Sequence, residues 1–212
     1  MNQTILSELT TANSAQLRQI LLELLVKYAY VEGDFVLSSG AKSSYYINGK
    51  QVSLRAEGAL VIGRLLFELL PQDTDAVAGL TLGADPIVSA VSVVSAYSNQ
   101  PIPALIIRKE PKGHGTKAYI EGPNLTPGAK VVVLEDVVTT GKSALQAVER
   151  LTACGYQVTQ IIALVDREQG GAELYQSQGI EFKALFSIKE IQHVGSICLG
   201  DLDISQRQQD EA

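Results

Sequence analysis

The feature that most constrains this fold is a series of short β-branched segments that alternate with helical stretches after residue 75. Uniformly apolar strands of this length are buried on both faces, and strands joined by helices run parallel. The sequence therefore predicts an α/β protein with a mostly parallel central sheet that helices flank. The predicted strands are 76–80, 104–108, 130–136, 160–166 and 182–187, and the predicted helices are about 86–97, 143–154 and 171–178.

The first 75 residues follow a different pattern. Leucines and isoleucines spaced three and four residues apart predict a helix over 15–27, with Asn13 or Ser14 as its cap. A second helix is predicted over 56–70, ending before Pro71. Residues 35–50 are rich in Ser, Gly and Tyr, which predicts short strands and turns.

We expect one domain over residues 1–212. A small N-terminal hood covers about 1–55 with part of the C-terminus, the core covers about 56–195, and a polar tail covers 201–212. The 212-residue chain is 46% hydrophobic with a formal net charge of -6, which disfavours a broad nucleic-acid surface. No secretory leader pattern and no apolar run of about 18 residues is evident, so we expect a cytoplasmic protein that binds neither nucleic acid nor membrane.

Polar segments follow four of the predicted strands, where open α/β sheets bind ligands. The segments are GLTLGADP (79–86), RKEPKGHGTK (108–117), LEDVVTTGKS (134–143) and VDREQGG (165–171).

The segment at 134–143 ends like a nucleoside-triphosphate loop, but that loop needs a glycine five residues before Gly141, where this chain has Asp136. The turn over Thr139–Ser143 opens a helix and suits a phosphate. Two carboxylates, Glu135 and Asp136, would repel phosphate and suit hydroxyls or a metal instead. Together these groups indicate a ribose 5-phosphate site, and the alternative is an ordinary capped helix preceded by solvated acids.

The segment at 108–117 concentrates positive charge in an acidic chain. Glycines at 113 and 115 favour a mobile loop. A mobile cationic loop suits a polyanion such as pyrophosphate, although a solvated basic loop is the simpler alternative. Its cations are Arg108, Lys109, Lys112, His114 and Lys117.

The stretch LEDVVTTGKSA resembles the phosphoribosyl-pyrophosphate (PRPP) motif of type I phosphoribosyltransferases. The resemblance implies their fold, with Glu135 and Asp136 on the ribose hydroxyls and the following turn on the 5-phosphate. The spelling R-K-x-x-K-x-H-G resembles the catalytic loop of orotate phosphoribosyltransferases, which generally acts across a homodimer. The implied PRPP-binding residues are Arg108, Lys109, Lys112, His114, Glu135, Asp136, Val137, Val138, Thr139, Thr140, Gly141, Lys142 and Ser143.

The same resemblance implies catalytic roles for Lys112, His114 and Asp136. Residues 165–171 resemble the segment whose arginine contacts the pyrimidine base, and residues 79–86 resemble the pyrophosphate-side loop. Residues 35–50 resemble the orotate-side hood, with Ser38 where many members have Lys and Ser44 where many have Pro. The implied orotate-binding residues are Thr139, Arg167, Lys42 and Tyr46.

The implied reaction transfers ribose 5-phosphate from PRPP to orotate, giving orotidine 5′-phosphate and pyrophosphate in UMP (pyrimidine) biosynthesis. Mg²⁺ is expected to bind through PRPP and water, with no direct protein ligand. Two alternatives remain: a phosphoribosyltransferase for a purine base, and a nonenzymatic nucleotide- and RNA-binding regulator on the same fold.

Overall fold

The computed structural model describes residues 9–36, 40, 42–112 and 119–197. The N-terminal part begins with a helix that has a capping box, in which Asn13 and Gln16 exchange side-chain and backbone hydrogen bonds. The elements before the central sheet are α1 (Ser14–Leu24), a π-helical turn (Leu25–Ala29), β1 (Tyr30–Val36), β2 (Lys42–Ile47), α2 (Lys50–Ser53) and α3 (Ala56–Leu69).

The rest of the described chain alternates strands and helices, as the sequence predicts. Residues 188–197 are helical as well. The elements are β3 (Ala76–Leu80), α4 (Asp85–Tyr97), β4 (Ala104–Ile107), β5 (Ile120–Glu121), β6 (Lys130–Val138), α5 (Lys142–Ala153), β7 (Gln157–Asp166), α6 (Gly171–Ser177) and β8 (Glu181–Ser187).

The central sheet has the strand order β5-β4-β3-β6-β7-β8, and β1 with β2 forms a separate antiparallel hairpin. Within the sheet, β5 is antiparallel to β4 and the other neighbours pair in parallel. The predicted mostly parallel sheet is therefore confirmed. The chain runs outward from β3 to β4 and then returns to the other side of β3 as β6, and this reversal creates a crevice between β3 and β6.

One predicted boundary is wrong in a way that matters for the site. The prediction ended the third strand at Asp136, whereas β6 continues through Val138. The extension is stable because Val137 and Val138 pair with Val165 and Asp166 of β7. The two acidic residues consequently lie within a strand and not in the turn that follows it.

Both faces of the sheet are buried, each by its own set of helices. On one face Val132 and Leu134 belong to a hydrophobic cluster with residues of α1, α3 and α4. On the other face Val131 and Val133 belong to a second cluster with residues of α5 and α6. Because side chains alternate along a strand, Glu135 follows Val133 onto the α5–α6 face and Asp136 lies on the opposite face.

The first helix is fastened to the far end of the chain. Arg18 of α1 donates hydrogen bonds to the carbonyl oxygen of Leu185 and to the carboxylate of Glu190. Its guanidinium carbon lies 4.3 Å from the centre of the Phe186 ring. The N-terminal helix therefore packs against the last strand of the sheet.

Candidate active site

The candidate site lies where β3 and β6 separate at the carboxyl end of the sheet. The last pair between these strands is Ala78 with Val133, whereas β6 stays paired with β7 as far as Val138. The turns after β3, β4 and β7 reach the same edge because parallel strands share one direction. The described parts of the four polar segments are thus brought to one edge.

Glu135 is a buried carboxylic acid on the α5–α6 face. Its side chain is 6% exposed, and its Oε2 has no hydrogen-bond partner among the described residues. Burial, followed by the neighbouring carboxylate of Asp136, raises the pKa of Glu135 well above its usual value. Hydroxyl ligands that donate to this carboxylate would stabilise its ionised form.

Asp136 occupies a narrow slot on the other face. Its Oδ1 accepts a hydrogen bond of 2.9 Å from the backbone N–H of Val137, and its Oδ2 lies 3.9 Å from the Lys50 ammonium. A methyl group on Gly83 would lie 2.6 Å from Oδ1, and one on Gly49 would lie 3.1 Å from the Asp136 Cβ. The two glycines therefore fix the space in which this carboxylate sits.

A cavity of about 70 Å³ lies at the N-terminus of α5. Gly141 precedes the helix with a φ of +81°, a left-handed conformation that glycine adopts without steric cost. The first N–H groups of a helix lack intrahelical partners, so the cavity offers backbone donors and hydroxyls to an anion. The volume suits one phosphate group. The lining residues are Glu135, Val137, Val138, Thr139, Thr140, Gly141, Lys142, Ser143 and Tyr175.

Arg167 is a buried cation that links the sheet to the β1–β2 hairpin. Its side chain is 6% exposed. Its Nε donates to Tyr45 Oη at 3.0 Å, and its Nη2 donates to Ser43 Oγ at 3.2 Å. Its backbone N–H donates to the carbonyl of Val138, which ties it to the last residue of β6, just before the Thr139–Ser143 turn. A guanidinium held in this way presents donors in a fixed plane, which suits a carboxylate or a carbonyl.

The hairpin turns its two faces in different directions. Ser43 and Tyr45 face Arg167, whereas Lys42 and Tyr46 alternate onto the other face of β2. Tyr46 is 44% exposed, and its ring centre lies 5.6 Å from that of Phe35. The structure thus places Arg167 against the predicted hood (35–50) through Ser43 and Tyr45. Within this chain, Lys42 and Tyr46 lie on the other face of β2, away from the guanidinium.

The cationic segment after β4 is described only as far as Lys112, so His114 and Lys117 lie outside the described residues. Arg108 Nη1 and Lys112 Nζ lie 3.2 and 3.4 Å from the same carboxylate oxygen, Oε1 of Glu121. Lys109 is close enough to Glu135 for its charge to lower the pKa of that acid, against the larger effect of burial. Lys112, whose side chain is 70% exposed, is a cation at the rim of the site.

Arg150 of α5 contacts both sides of this segment. It donates hydrogen bonds to the carbonyl oxygens of Arg108 and Lys109, the second at 2.9 Å. Its guanidinium carbon also lies 4.1 Å from the centre of the Tyr119 ring. One side chain thus contacts the first two residues of the cationic segment and Tyr119, which lies two residues beyond its end.

Several residues that line or shape the candidate site were missing from the sequence prediction. Lys50 and Tyr175 carry no motif, and their proximity to the acids depends on how α2 and α6 pack. Tyr45 and Ser43 lie in the predicted hood, but choosing them over Tyr46 requires the hairpin register. Gly83 lies in the predicted pyrophosphate-side loop (79–86), and its close approach to Asp136 follows only from the β3–β6 crevice.

The described part of the chain shows neither a metal-binding cluster nor a helix able to span a membrane. Residues 9–36, 42–112 and 119–197 contain no group of three or more His, Cys, Asp or Glu side chains that could hold a metal ion. None of the helices in that part of the chain combines the length and the apolar character that crossing a membrane requires.

Comparison with known proteins gives consistent matches. Residues 56–191 match the model of the phosphoribosyl transferase domain family. An orotate phosphoribosyltransferase from Nostoc sp. is 72% identical over 182 residues, which are 86% of this chain and 88% of that protein. The orotate phosphoribosyltransferase from Synechocystis sp. is 70% identical over 194 residues, 92% of this chain and 98% of that protein.

Solved structures agree with these matches. The Mycobacterium tuberculosis orotate phosphoribosyltransferase in complex with PRPP is 34% identical, has a TM-score of 0.70, and covers 83% of this chain and 99% of its own. The same enzyme in complex with inorganic phosphate gives 34% identity and a TM-score of 0.72, with 84% and 99% covered.

Proposed function

We propose that this chain, which belongs to the phosphoribosyltransferase family, is an enzyme that transfers ribose 5-phosphate from PRPP to orotate. The high identity to orotate phosphoribosyltransferases supports orotate as the base. The products are orotidine 5′-phosphate and pyrophosphate, in UMP (pyrimidine) biosynthesis. The observation that carries the orotate assignment is the position of Arg167, buried under the hairpin and hydrogen-bonded through its backbone to the last residue of β6.

The phosphate and ribose of PRPP are assigned to β6 and the turn that follows it. The cavity over Thr139–Ser143 takes the 5-phosphate, because its helix N-terminus supplies donors and its volume fits one phosphate. Glu135 and Asp136 accept hydrogen bonds from the ribose hydroxyls.

The base is assigned to the neighbourhood of the Arg167 guanidinium, beside its hydrogen bonds to the hairpin. Orotate carries a carboxylate and two carbonyls, which a fixed guanidinium recognises in a planar geometry. Tyr45 and Ser43 hold the guanidinium and thereby set its plane. Three orotate contacts stay predictions: Thr139, Lys42 and Tyr46. Because Lys42 and Tyr46 lie on the face of β2 that turns away from Arg167, we assign them a smaller part in orotate binding than Arg167.

Pyrophosphate departure is assigned to the cationic segment. As the bond between C1 of ribose and the pyrophosphate oxygen breaks, negative charge grows on the leaving group, and Arg108, Lys109, Lys112 and His114 stabilise it. Lys112 is 70% exposed and faces solvent at the rim. This exposure is consistent with a homodimer in which the segment serves the site of the other subunit, and that arrangement remains a proposal.

Magnesium is proposed as the cofactor. The two carboxylates and the threonine hydroxyls of the site form an oxygen-rich environment, which suits Mg²⁺ held mainly by PRPP oxygens and water. When bound, the ion neutralises charge on the diphosphate. The proposed cellular location is the cytoplasm.

The direct test is loss of orotate absorbance when PRPP and Mg²⁺ are added to the purified protein. Adenine, xanthine and uracil offered in place of orotate separate this function from that of a purine-base enzyme. Consumption of a purine and not of orotate would reject the proposal. Failure to consume any base, together with tight RNA binding, would instead support the nonenzymatic regulator.

A further inference from the structure

Tyr175 is the buried residue of the phosphate cavity that no motif explains. It lies on α6, is fully buried, and contributes to the lining beside Glu135 and Gly141. Its hydroxyl has no hydrogen-bond partner among the described residues. A buried phenol normally finds such a partner, so a solvent-shielded hydroxyl at the wall of a ligand cavity indicates a partner within that cavity, such as an ordered water.

The ring is held firmly, which fixes where the hydroxyl lies. Its centre is 5.1 Å from the Phe182 ring of β8. A methyl group on Gly141 would lie 2.9 Å from the Tyr175 Cζ and 3.0 Å from its Oη. The hydroxyl end of the ring therefore supports the phosphate-side turn from below.

Glu135 is the acceptor that this geometry makes available. Its Oε2 is also buried without a partner among the described residues, and it lines the same cavity. The pKa of Tyr175 is raised by burial first and by the charge of Glu135 second, so the phenol stays protonated and can only donate toward the acid. The cavity, at about 70 Å³, also has room for an ordered water between the two groups.

We propose that Tyr175 is a positioning residue for the transfer reaction: its hydroxyl donates a hydrogen bond through one ordered water to the Glu135 carboxylate and so holds that carboxylate for the ribose hydroxyls. This inference rests on the proposed function. It adds α6 to the elements that build the PRPP site, and it gives the buried phenol a partner.

The test is Tyr175→Phe, which keeps the ring packing and removes only the hydroxyl. Tyr156→Phe is the matched control, because Tyr156 is a buried tyrosine of the same hydrophobic cluster at the other end of the sheet. Loss of a hydrogen bond to a charged group should weaken PRPP binding about tenfold by calorimetry, with the KM for orotate unchanged. Tyr156→Phe should bind PRPP like the wild type.

A pH profile supplies the measurement that a purely structural role would not change. Donation to a carboxylate lowers its pKa, so the acid limb of kcat/KM for PRPP should move up by about one pH unit in Tyr175→Phe. The other charged groups that act on this pair are Asp136 on β6, Lys109 after β4 and Asp166 on β7. Both variants retain all three, so only the phenol differs.

Two outcomes would overturn the proposal while leaving the proposed function intact. One is an active wild type with a Tyr175→Phe variant that matches it in PRPP affinity and acid limb. If Tyr175→Phe lowers the Tm, the same substitution is made in a Glu135→Leu protein, and the PRPP affinities of Glu135→Leu with and without Tyr175→Phe are compared by calorimetry. A loss of affinity below twofold supports the proposal, and a tenfold loss refutes it. A wild type that binds PRPP but never consumes orotate would instead reject the proposed function.

Discussion

Gly83→Ala tests whether the position of the Asp136 carboxylate controls the reaction. The added methyl would lie 2.6 Å from Oδ1 and 2.8 Å from Cγ, whereas ordinary contacts begin at 3.4 Å. The φ of Gly83 lies outside the left-handed region, so alanine introduces no backbone strain there. The change therefore acts on one carboxylate and not on the conformation of the turn.

The size of the effect follows from that displacement. The shortest contact falls 0.8 Å short of the ordinary limit, so the carboxylate must move by that amount. A misplacement of about 1 Å at a reacting centre costs roughly 100-fold, which predicts a fall of about 40-fold in kcat/KM for PRPP. That factor corresponds to about 2.2 kcal/mol of lost transition-state stabilisation.

The assay is initial-rate loss of orotate absorbance, with the Tm measured in parallel. Gly195→Ala is the matched control, because its added methyl would meet its nearest atom, Cε1 of Tyr30, at 3.4 Å. Gly195→Ala should retain wild-type activity. A Gly83→Ala enzyme within threefold of wild type would refute the argument that this slot positions Asp136.

Three further outcomes are expected. Lys112→Ala should lower kcat at least 100-fold with a smaller change in PRPP affinity, and mixing it with Asp136→Asn should restore part of the activity if the segment acts across a dimer; a mixture without activity would contradict cross-subunit catalysis. Arg167→Lys should raise the KM for orotate at least tenfold because an ammonium cannot reproduce the planar fork, and an unchanged KM would remove the residue from base recognition. Glu135→Gln should lose activity yet have a higher free energy of unfolding than the wild type at neutral pH. Because the pKa of Glu135 is raised in the folded wild type, that state binds more protons than the unfolded state, and the wild type loses stability as the pH rises through that interval. Thermal melts at pH 4.5 and 7.5 measure this, and a larger gain at the lower pH would contradict the sign.

The central strands were predictable because burial on both faces leaves a strong signal. The segment at 76–80 has the predicted bounds, and the helix at 56–70 is longer than α3 by a single residue. The end of β6 was predicted two residues too early, at Asp136 and not at Val138, because two adjacent acids end the apolar run. The strand continues past Glu135 and Asp136 because the pairing of Val137 and Val138 with β7 outweighs the low strand propensity of the two acids.

Site composition was predictable only where a contiguous motif carries it. The Thr139–Ser143 turn and Arg167 are legible in sequence because each lies beside a strand end. The contact of Lys50 with Asp136 and the placement of Tyr175 under Gly141 depend on helix packing across the sheet. Which face of the hairpin meets Arg167 depends on strand register, which a polar stretch with alternating Ser and Tyr leaves undetermined.

The attachment of α1 to β8 has a consequence for how the molecule is made. Arg18 bonds to a carbonyl 167 residues further along the chain. At about 5 to 20 residues per second, a ribosome needs roughly 8 to 33 s to produce that partner after Arg18 itself. During this interval α1 can already pack against α3, whose Glu68 carboxylate accepts a hydrogen bond from Ser14, whereas Arg18 lacks both of its partners. The contacts that join α1 to β8 are thus among the last to form, and they close the fold only when synthesis has passed Glu190.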